Sequence, residues 1–428
     1  ASTGLFAQTT NSFSVKQAVD YAMQHAVQVR NALVDIKIQK QTNREVTSAA
    51  FPQINGSFTL NDYLDIPTSL IPAEFTGGAP GTYIPLQFGT KYNATGGIDI
   101  SQLLFDGQVF VGLQARSAVL KFAEKQAEVT KEQIKVNVYK IYYQLVVGQK
   151  QLSAIDANIE RFEKLLSDTK EIYKNGFAEK LDVDKVSVQL NNLKTEKTKI
   201  ENQLQAGNAG LKFLLNMPQK ETLALTDSLT EDELKAHVLT DSVRYEDRQE
   251  FQLLQLGKKL GEYNIRRYKL SYLPTVAAFG SYNKNAQRGK FDFFNDGSWF
   301  TTSLIGLKVT VPIFDGFAKK SRLTKARYEL EKTNNNIEQL KAAIDNELVQ
   351  ANINITSALV TVDNQKQNMK LAEQVYNTTK LKYEQGLGSN QEIYTAQTEL
   401  KVAQSNYYGA LYDAIIAKID FLKATGKL

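Results

Sequence analysis

Histidine and cysteine most often carry catalysis or bind transition metals, and this sequence nearly lacks them. Its 428 residues include no cysteine and only two histidines, His25 and His237, each among polar residues of helical pattern. Thiol catalysis, disulfides and thiolate metal sites are therefore excluded. No GxSxG, P-loop, dinucleotide-binding or HExxH motif occurs. The sequence predicts no catalytic residue, no metal site and no cofactor, and an enzyme is the least favoured interpretation.

Acidic residues instead mark two similar junctions, "QLLFDG" at 102–107 and "VPIFDG" at 311–316. Each follows alternating apolar residues and precedes a long tract without proline. An aspartate at the start of a helix interacts favourably with the free N–H groups there. Proline ends a strand ladder, and glycine permits a sharp change of backbone direction. We predict two strand-to-helix junctions with a structural acid, formed by Asp106, Gly107, Pro312, Asp315 and Gly316.

Charge and hydropathy limit the possible partners. The net charge of +5 is spread along the chain without a dense basic block, so nucleic acid is not an expected partner. No run approaches the roughly 18 apolar residues of a transmembrane helix. The chain is therefore either soluble or meets lipid as strands.

The chain repeats itself. Each FDG junction is followed by a tyrosine-glycine turn ("YKNGF", "YEQGL") and then by a phenylalanine-leucine stop ("FLLNMP", "FLKATG"). Upstream, "FPQINGSF" matches "LPTVAAFGSY". The common order and near-equal spacing indicate duplication of a unit of about 200 residues, longer than a solenoid repeat. We divide the chain into a first repeat (1–215), a linker (216–246) and a second repeat (247–428).

Long helices are predicted within both repeats. No proline lies in 86–217 or 313–428, and an interior proline costs a helix about 3 kcal/mol. A capping box at Ser14 and Gln17 predicts a first helix to about Ala49, with a counterpart from Asp247 to Tyr272. Heptad spacing predicts supercoiled helix pairs, for example through Val138, Leu145, Leu152, Ile159 and Leu166.

Between the helices the apolar period changes from seven to two, as in "LIGLKVTV" at 304–311. This alternation predicts strands of about the 9–11 residues that cross a bilayer when tilted. The predicted membrane segments are 52–63, 95–105, 274–284 and 301–312, in two hairpins around loops 65–93 and 285–300.

Four strands cannot close a ring in lipid, where each unpaired edge group costs several kcal/mol and barrels begin at about eight strands. The chain must therefore associate. Two copies give eight strands and three give twelve, and twelve can enclose water. The helices would continue this ring as a tube that carries solutes across the periplasm and outer membrane. The alternative is a soluble coiled-coil scaffold or stalk, against which the alternating segments argue.

Several segments together resemble the outer membrane efflux protein family, the TolC-like channels. They are "FSVKQAVDYAMQHAVQVR", "AAFPQI", "VPIFDG" and the C-terminal stretch from "YEQGLGSN" to "FLKATG". The resemblance covers nearly the whole chain and depends on the order, spacing and duplication of these segments.

The resemblance implies a mainly α protein with a membrane β-barrel. Four strands per protomer would form a 12-stranded barrel in a homotrimer, joined to a long coiled-coil α-helical tunnel. It implies an exit duct that catalyses nothing, in the outer membrane of a Gram-negative bacterium with a periplasmic helical portion. Its implied partners are a periplasmic adaptor, an inner-membrane transporter and outer membrane lipid, without nucleic acid.

The resemblance also implies a periplasmic aperture ringed by acids just beyond the helical tips. The sixth residue after each turn glycine is Asp182 in the first repeat and Glu392 in the second. Carboxylates in a narrow mouth would favour cations and could bind a divalent ion. The local alternative is an acid that stabilises its own helix start. Where some members carry a second acid, this chain has Lys185 and Thr395.

The tips resemble the family's adaptor-docking grooves, and tight turns between helices are the local alternative, compatible with docking. The predicted docking residues are Asn175, Gly176, Phe177, Ala178, Gln385, Gly386, Leu387 and Gly388.

Overall fold

The structure is a computed structural model that describes residues 10–227, 243–295 and 297–428, so His237 lies outside the described residues. Four long helices dominate it: α3 (Gly107–Lys174), α4 (Lys180–Leu215), α6 (Ala318–Glu384) and α7 (Asn390–Ala424). The 68 residues of α3 span about 100 Å at the usual rise. No described helix is long and apolar enough to cross a membrane.

The predicted first helix is divided into α1 (Val15–His25) and α2 (Val27–Ser48). Ser14 and Gln17 form the predicted capping box, with Ser14 Oγ accepting from the Gln17 N–H at 3.2 Å. The break lies at Ala26, whose ψ of 130° is extended. Ala26 and Val29 are both fully buried, so the bend keeps the helical face against the core. The counterpart, α5 (Gln249–Leu270), is continuous.

Strands from both repeats form one antiparallel sheet in the order β2-β5-β7-β8, comprising β2 (Gln53–Asp62), β5 (Tyr92–Phe105), β7 (Thr275–Arg288) and β8 (Phe300–Thr310). The period-two pattern thus predicted four paired strands. The predicted loop 65–93 contains a further ribbon, β3 (Thr68–Pro72) with β4 (Tyr83–Gln87). Prolines are tolerated there because a two-stranded ribbon consists entirely of edges.

The chain folds into two compact units, each drawn from both repeats. The described residues of unit 1 lie within 1–37, 121–257 and 334–428, and those of unit 2 lie within 38–120 and 258–333. Unit 2 holds the sheet with the helical ends that enter and leave it. Unit 1 holds the remaining helices and a parallel pair of strands, β1 (Thr10–Phe13) with β6 (Thr222–Leu225).

The core of unit 1 follows the heptad pattern. Val138 and Leu145 of α3 are buried with Leu211 of α4. Nearer the turns, both helical hairpins share one cluster, in which Phe162 and Leu193 pack with Leu400 of α7. Lateral polar bonds connect the hairpins as well, since Asn158 donates to Gln404 Oε1 at 2.8 Å. The two repeats therefore form one helical body within this unit.

Candidate functional site

One face of the four-stranded sheet is apolar and exposed. Strand register places Ile54, Ile100 and Ile305 in one row across this face, with Gly280 between the last two, and Ile305 is 94% exposed. Such a surface is unfavourable in water and favourable in hydrocarbon. The same face carries Phe58, Leu60, Ile98, Tyr282, Leu307 and Val309, all exposed.

The opposite face of the sheet is predominantly polar. One row across it runs from Asn55 through Asp99 and Ser281 to Leu304. Gly97 makes room for its neighbour there, because a Cβ at Gly97 would lie 1.8 Å from Asn283 Oδ1. A sheet with one lipid-compatible and one water-compatible face is suited to the wall of an aqueous pore.

The aspartates of the two FDG junctions both accept hydrogen bonds from the first N–H groups of the helix that follows. Asp106 Oδ1 accepts from the N–H groups of Gln108 at 2.7 Å and Val109 at 3.2 Å. Asp315 Oδ2 accepts from the N–H of Lys319 at 2.9 Å. Both acids therefore cap helix starts, as their position predicts.

The glycines of the junctions serve different needs. Gly107 permits close packing, since a Cβ there would lie 2.6 Å from the carbonyl oxygen of Leu270. Gly316 has a φ of 64° and is followed by Phe317 at 67°, so the second junction turns through the left-handed region. Pro312 stands two residues beyond the end of β8.

In the two helical turns of unit 1, the first helix, α3 or α6, ends in the same hydrogen-bonded motif. Gly176 and Gly386 have φ values of 79° and 73°. At the first turn, the N–H of Phe177 donates to the carbonyl of Ile172, and at the second, Leu387 donates to Lys382. This is the Schellman arrangement, in which the left-handed position favours glycine.

Apolar side chains project from these turns. Phe177 is 86% exposed and Leu387 is 78% exposed. Gly388 is explained by its own hairpin, because a Cβ there would lie 3.2 Å from the backbone nitrogen of Tyr383. Asn175 donates through its side chain to the carbonyl of Glu171 at 2.8 Å, while Ala178 and Gln385 complete the turns.

The two aperture candidates differ in their surroundings. Asp182 Oδ2 accepts from the Glu179 N–H at 3.3 Å, and Lys185 Nζ lies 3.9 Å from Asp182 Oδ1. Asp182 is thus occupied by its own helix start.

Glu392 is exposed, and its carboxylate has no hydrogen bond or ion pair within the described residues. Ser389 caps this helix instead, with its Oγ accepting from the Glu392 N–H at 3.2 Å. Thr395 donates to the carbonyl of Gln391. Of the two acids, Glu392 has the carboxylate available to a cation or partner.

The sequence patterns gave no sign of Arg248, a buried cation in unit 1. The Arg248 side chain is 3% exposed and donates from Nη1 to Glu347 Oε2 at 2.8 Å and to the carbonyl of Ala424 at 3.2 Å. Arg248 Nε lies 3.4 Å from Glu250 Oε2. It therefore connects the start of α5 to α6 and α7.

Two acids near Arg248 have pKa values that are shifted in opposite directions. Burial, and then the negative charge of Glu250, raises the pKa of Glu132, whose buried Oε2 has no partner. Burial opposes ionisation of Glu250 too, but its own backbone N–H and Arg248 lower the pKa of Glu250. The described residues contain no group of three or more His, Cys, Asp or Glu arranged to hold a metal.

Long helical hairpins attached to a two-faced, open-edged sheet define the class of outer membrane exit ducts. Residues 246–427 match the family described as outer membrane efflux protein. The chain is 21% identical over 338 residues to the outer membrane protein TolC of Vibrio cholerae, covering 78% of this chain and 76% of that protein. It is 20% identical to TolC of Escherichia coli over 351 residues, covering 79% and 71%.

The fold is shared with solved channels. The crystal structure of the Campylobacter jejuni CmeC outer membrane channel superposes with a TM-score of 0.77 at 16% identity, covering 99% of this chain and 90% of that one. The second repeat thus matches the outer membrane efflux protein family, and the chain as a whole is similar to TolC-like channels in sequence and fold. It belongs in the outer membrane of a Gram-negative bacterium, with its helical portion in the periplasm.

Proposed function

We propose that three copies of this chain form one exit duct, which passes solutes from a periplasmic adaptor and an inner-membrane transporter to the outside. The observation that carries the proposal is the sheet, whose two faces suit lipid and water while β2 and β8 leave its outer edges unpaired within the described chain. Three copies would supply twelve strands, enough to enclose a water-filled lumen. The helical hairpins would extend this lumen into the periplasm.

The proposal is tested by mass and conductance together. We expect the purified protein to have the mass of three protomers in detergent and to conduct ions in a planar bilayer. A monomer in detergent that leaves the bilayer electrically silent would contradict the duct.

We further propose that Glu392 lines the periplasmic aperture, with Asp182 beside it as a helix-capping acid. The Glu392 carboxylate is exposed and unpaired among the described residues, so it can act on a passing ion. In Glu392→Gln we expect the cation-to-anion permeability ratio to fall at least about twofold, because carboxylate rings set such selectivity. Reversal potentials in a salt gradient measure this ratio.

Asp182→Asn is the matched control for the aperture. We expect it to change the permeability ratio less than Glu392→Gln, because Asp182 interacts with Glu179 and Lys185 of its own helix. An unchanged ratio in Glu392→Gln, with full conductance, would remove this residue from the aperture.

We propose that the apolar turn residues form the adaptor-docking surface. Phe177 and Leu387 are the large apolar side chains of the two tips, and buried apolar anchors dominate binding at interfaces. We expect the double variant Phe177→Ser/Leu387→Ser to bind the adaptor at least about tenfold more weakly, since losing two anchors of 1 kcal/mol or more corresponds to such a factor. Biolayer interferometry with the purified adaptor measures the dissociation constant.

Leu371→Ser provides the control for docking, because Leu371 is an exposed apolar residue of α6 away from the turns. It should leave adaptor affinity unchanged. Equal weakening by the control and tip variants would show that general surface hydrophobicity, rather than the tips, governs binding.

A further inference from the structure

A dense basic cluster adjoins the sheet within unit 2. The end of α5 and the residues after it, 266–273, carry Arg266, Arg267 and Lys269 and no acid. The start of α6 with the residue before it, 317–328, carries Lys319, Lys320, Arg322, Lys325 and Arg327, again without an acid. We call these two segments the basic collar.

The first repeat has no equivalent cluster. Its corresponding segments, 44–51 and 108–119, hold only Arg44, Arg116 and Glu45 as charged residues. The collar therefore carries +8 where its counterpart carries +1, from two cations minus one acid. Because the whole chain has a net charge of +5, the residues outside these segments sum to 5 − 8 − 1 = −4. The positive charge is therefore concentrated at this position of the fold, and the expectation of a charge spread along the chain without a dense basic block is wrong.

The two collar segments lie side by side. A Cβ at Gly261 of α5 would lie 3.1 Å from Leu330 Cδ1 of α6. Further along the same antiparallel pair, Lys319 Nζ lies 6.0 Å from the centre of the Tyr272 ring. The strands that continue from them, β7 and β8, are paired from Thr275 and Thr310 onward. Both segments therefore adjoin the same end of the sheet.

The collar charges are not neutralised by the described chain. All except Lys319 are exposed, and the only collar ion pair among the described residues is the long contact of Lys325 Nζ with Glu329 at 3.9 Å. Arg267 stacks on the Tyr268 ring, with its guanidinium carbon 4.9 Å from the ring centre. Like charges packed this densely repel one another, so an anionic partner would lower the free energy of the cluster.

Polarity changes in a fixed order from the sheet to the collar. The apolar face continues from Val309 to Val311 and Ile313, both exposed. Aromatic residues follow, with Phe314 and Phe317 in edge contact at 5.6 Å. The cations begin only at Lys319. A membrane protein commonly has apolar residues in the hydrocarbon, aromatic residues at the interface and basic residues at the headgroups. The residues from Val309 to Lys319 follow this order.

We propose that the basic collar binds the headgroups of anionic phospholipids in the leaflet next to the helices. The inference rests on the membrane placement of the sheet in the proposed function. The lipid phosphates would neutralise the cations, and the exposed aromatic residues would lie among the glycerol groups. This contact would fix the depth of the sheet from the second repeat, because the first repeat lacks the charges.

Spin-labelled lipids test the collar directly. The full-length protein is reconstituted in phosphatidylcholine with trace spin-labelled phosphatidylglycerol or phosphatidylcholine, and the motionally restricted fraction gives their relative association constants. We expect phosphatidylglycerol to be preferred at low salt and the preference to decline as salt screens the charges. The variant Lys320→Gln/Arg322→Gln/Lys325→Gln/Arg327→Gln should lose most of it.

A control with the same charge change separates the collar from net charge. The variant Lys180→Gln/Lys199→Gln/Lys370→Gln/Lys382→Gln removes four exposed lysines of unit 1 and should keep the lipid preference. If the collar variant does not assemble, the double variant Arg266→Gln/Arg267→Gln and the salt titration of the unaltered protein are used. Both should weaken the preference.

Two results would overturn the proposal: equal association of both lipids with the unaltered protein at low salt, or an undiminished preference in the collar variants. Either result with normal conductance would leave the exit duct intact and would assign the collar to the lumen or to contacts between copies. Failure of the duct itself would instead appear as absent conductance and a monomeric mass.

Discussion

Ile305→Lys should abolish stable insertion of this protein in the outer membrane. Ile305 lies at the middle of β8 and is 94% exposed on the apolar face. A lysine facing lipid near the bilayer midplane costs about 2–4 kcal/mol, so the three copies of the proposed trimer would together lose about 6–12 kcal/mol. Heat-modifiable trimer in membrane fractions, followed by gel electrophoresis and immunoblotting, should fall to a small fraction of the unaltered amount.

Leu304→Lys makes the same chemical change one residue away. Leu304 lies on the opposite face, in the polar row with Asn55, Asp99 and Ser281. A lysine there faces water, as Lys308 does two rows further along, and should leave trimer yield nearly unchanged. Equal yields for the Ile305 and Leu304 variants would contradict the assignment of one face to lipid and the other to the lumen.

The faces of the sheet could be predicted from the sequence because alternation has a period of two and register preserves it across strands. The heptad series of α3 likewise predicted the buried Val138 and Leu145, whereas Leu152, Ile159 and Leu166 of the same series are half-buried. The break at Ala26 could not be predicted, since alanine favours helix and only the packing of α1 and α2 requires the bend. The ribbon β3–β4 was hidden by its prolines, which ribbon edges accommodate.

Charge shows a similar limit of sequence reasoning. The whole-chain value of +5 gives no sign of the collar, because acids elsewhere compensate for its cations. A comparison of the two repeats, segment by segment, would have revealed it. The two aperture acids hold equivalent places in the repeats, but only the structure distinguishes them. The Asp182 carboxylate accepts the N–H of Glu179 at the start of α4, whereas the Ser389 hydroxyl caps α7 and leaves the Glu392 carboxylate free.

Arg248 was missed because its acidic partners are distant in sequence. Glu347 lies on α6 and the Ala424 carbonyl at the end of α7, so no local pattern relates them to Arg248. Within unit 1, the buried guanidinium holds the start of α5 against both helices of the second hairpin. Removal would leave a buried carbonyl and two carboxylates without their shared donor.

Arg248→Met should therefore lower the free energy of unfolding of the helical unit by about 3 kcal/mol. Removing one partner of a buried ion pair costs about 3–5 kcal/mol, and Glu347, with 47% of its side chain exposed, can regain water and reduce that cost. Urea titration in detergent, followed by far-ultraviolet circular dichroism, measures the change. Arg244→Met is the control: this arginine pairs with Asp247 but its side chain is 72% exposed, so its loss should lower the free energy of unfolding far less than Arg248→Met does.

The pH dependence of the stability lost in Arg248→Met tests whether that loss is electrostatic. Because the pKa of Glu250 is lowered in the folded protein, its stabilising contribution is present above the unfolded-chain value of about 4.3 and is lost as the pH falls through the lower folded value. The stability gap between the unaltered protein and Arg248→Met should therefore be largest near pH 7 and should narrow below about pH 4.3. A gap that stays constant down to pH 3 would mean that Arg248 acts through the packing of its aliphatic stem and its bond to Ala424, with no contribution from the carboxylates.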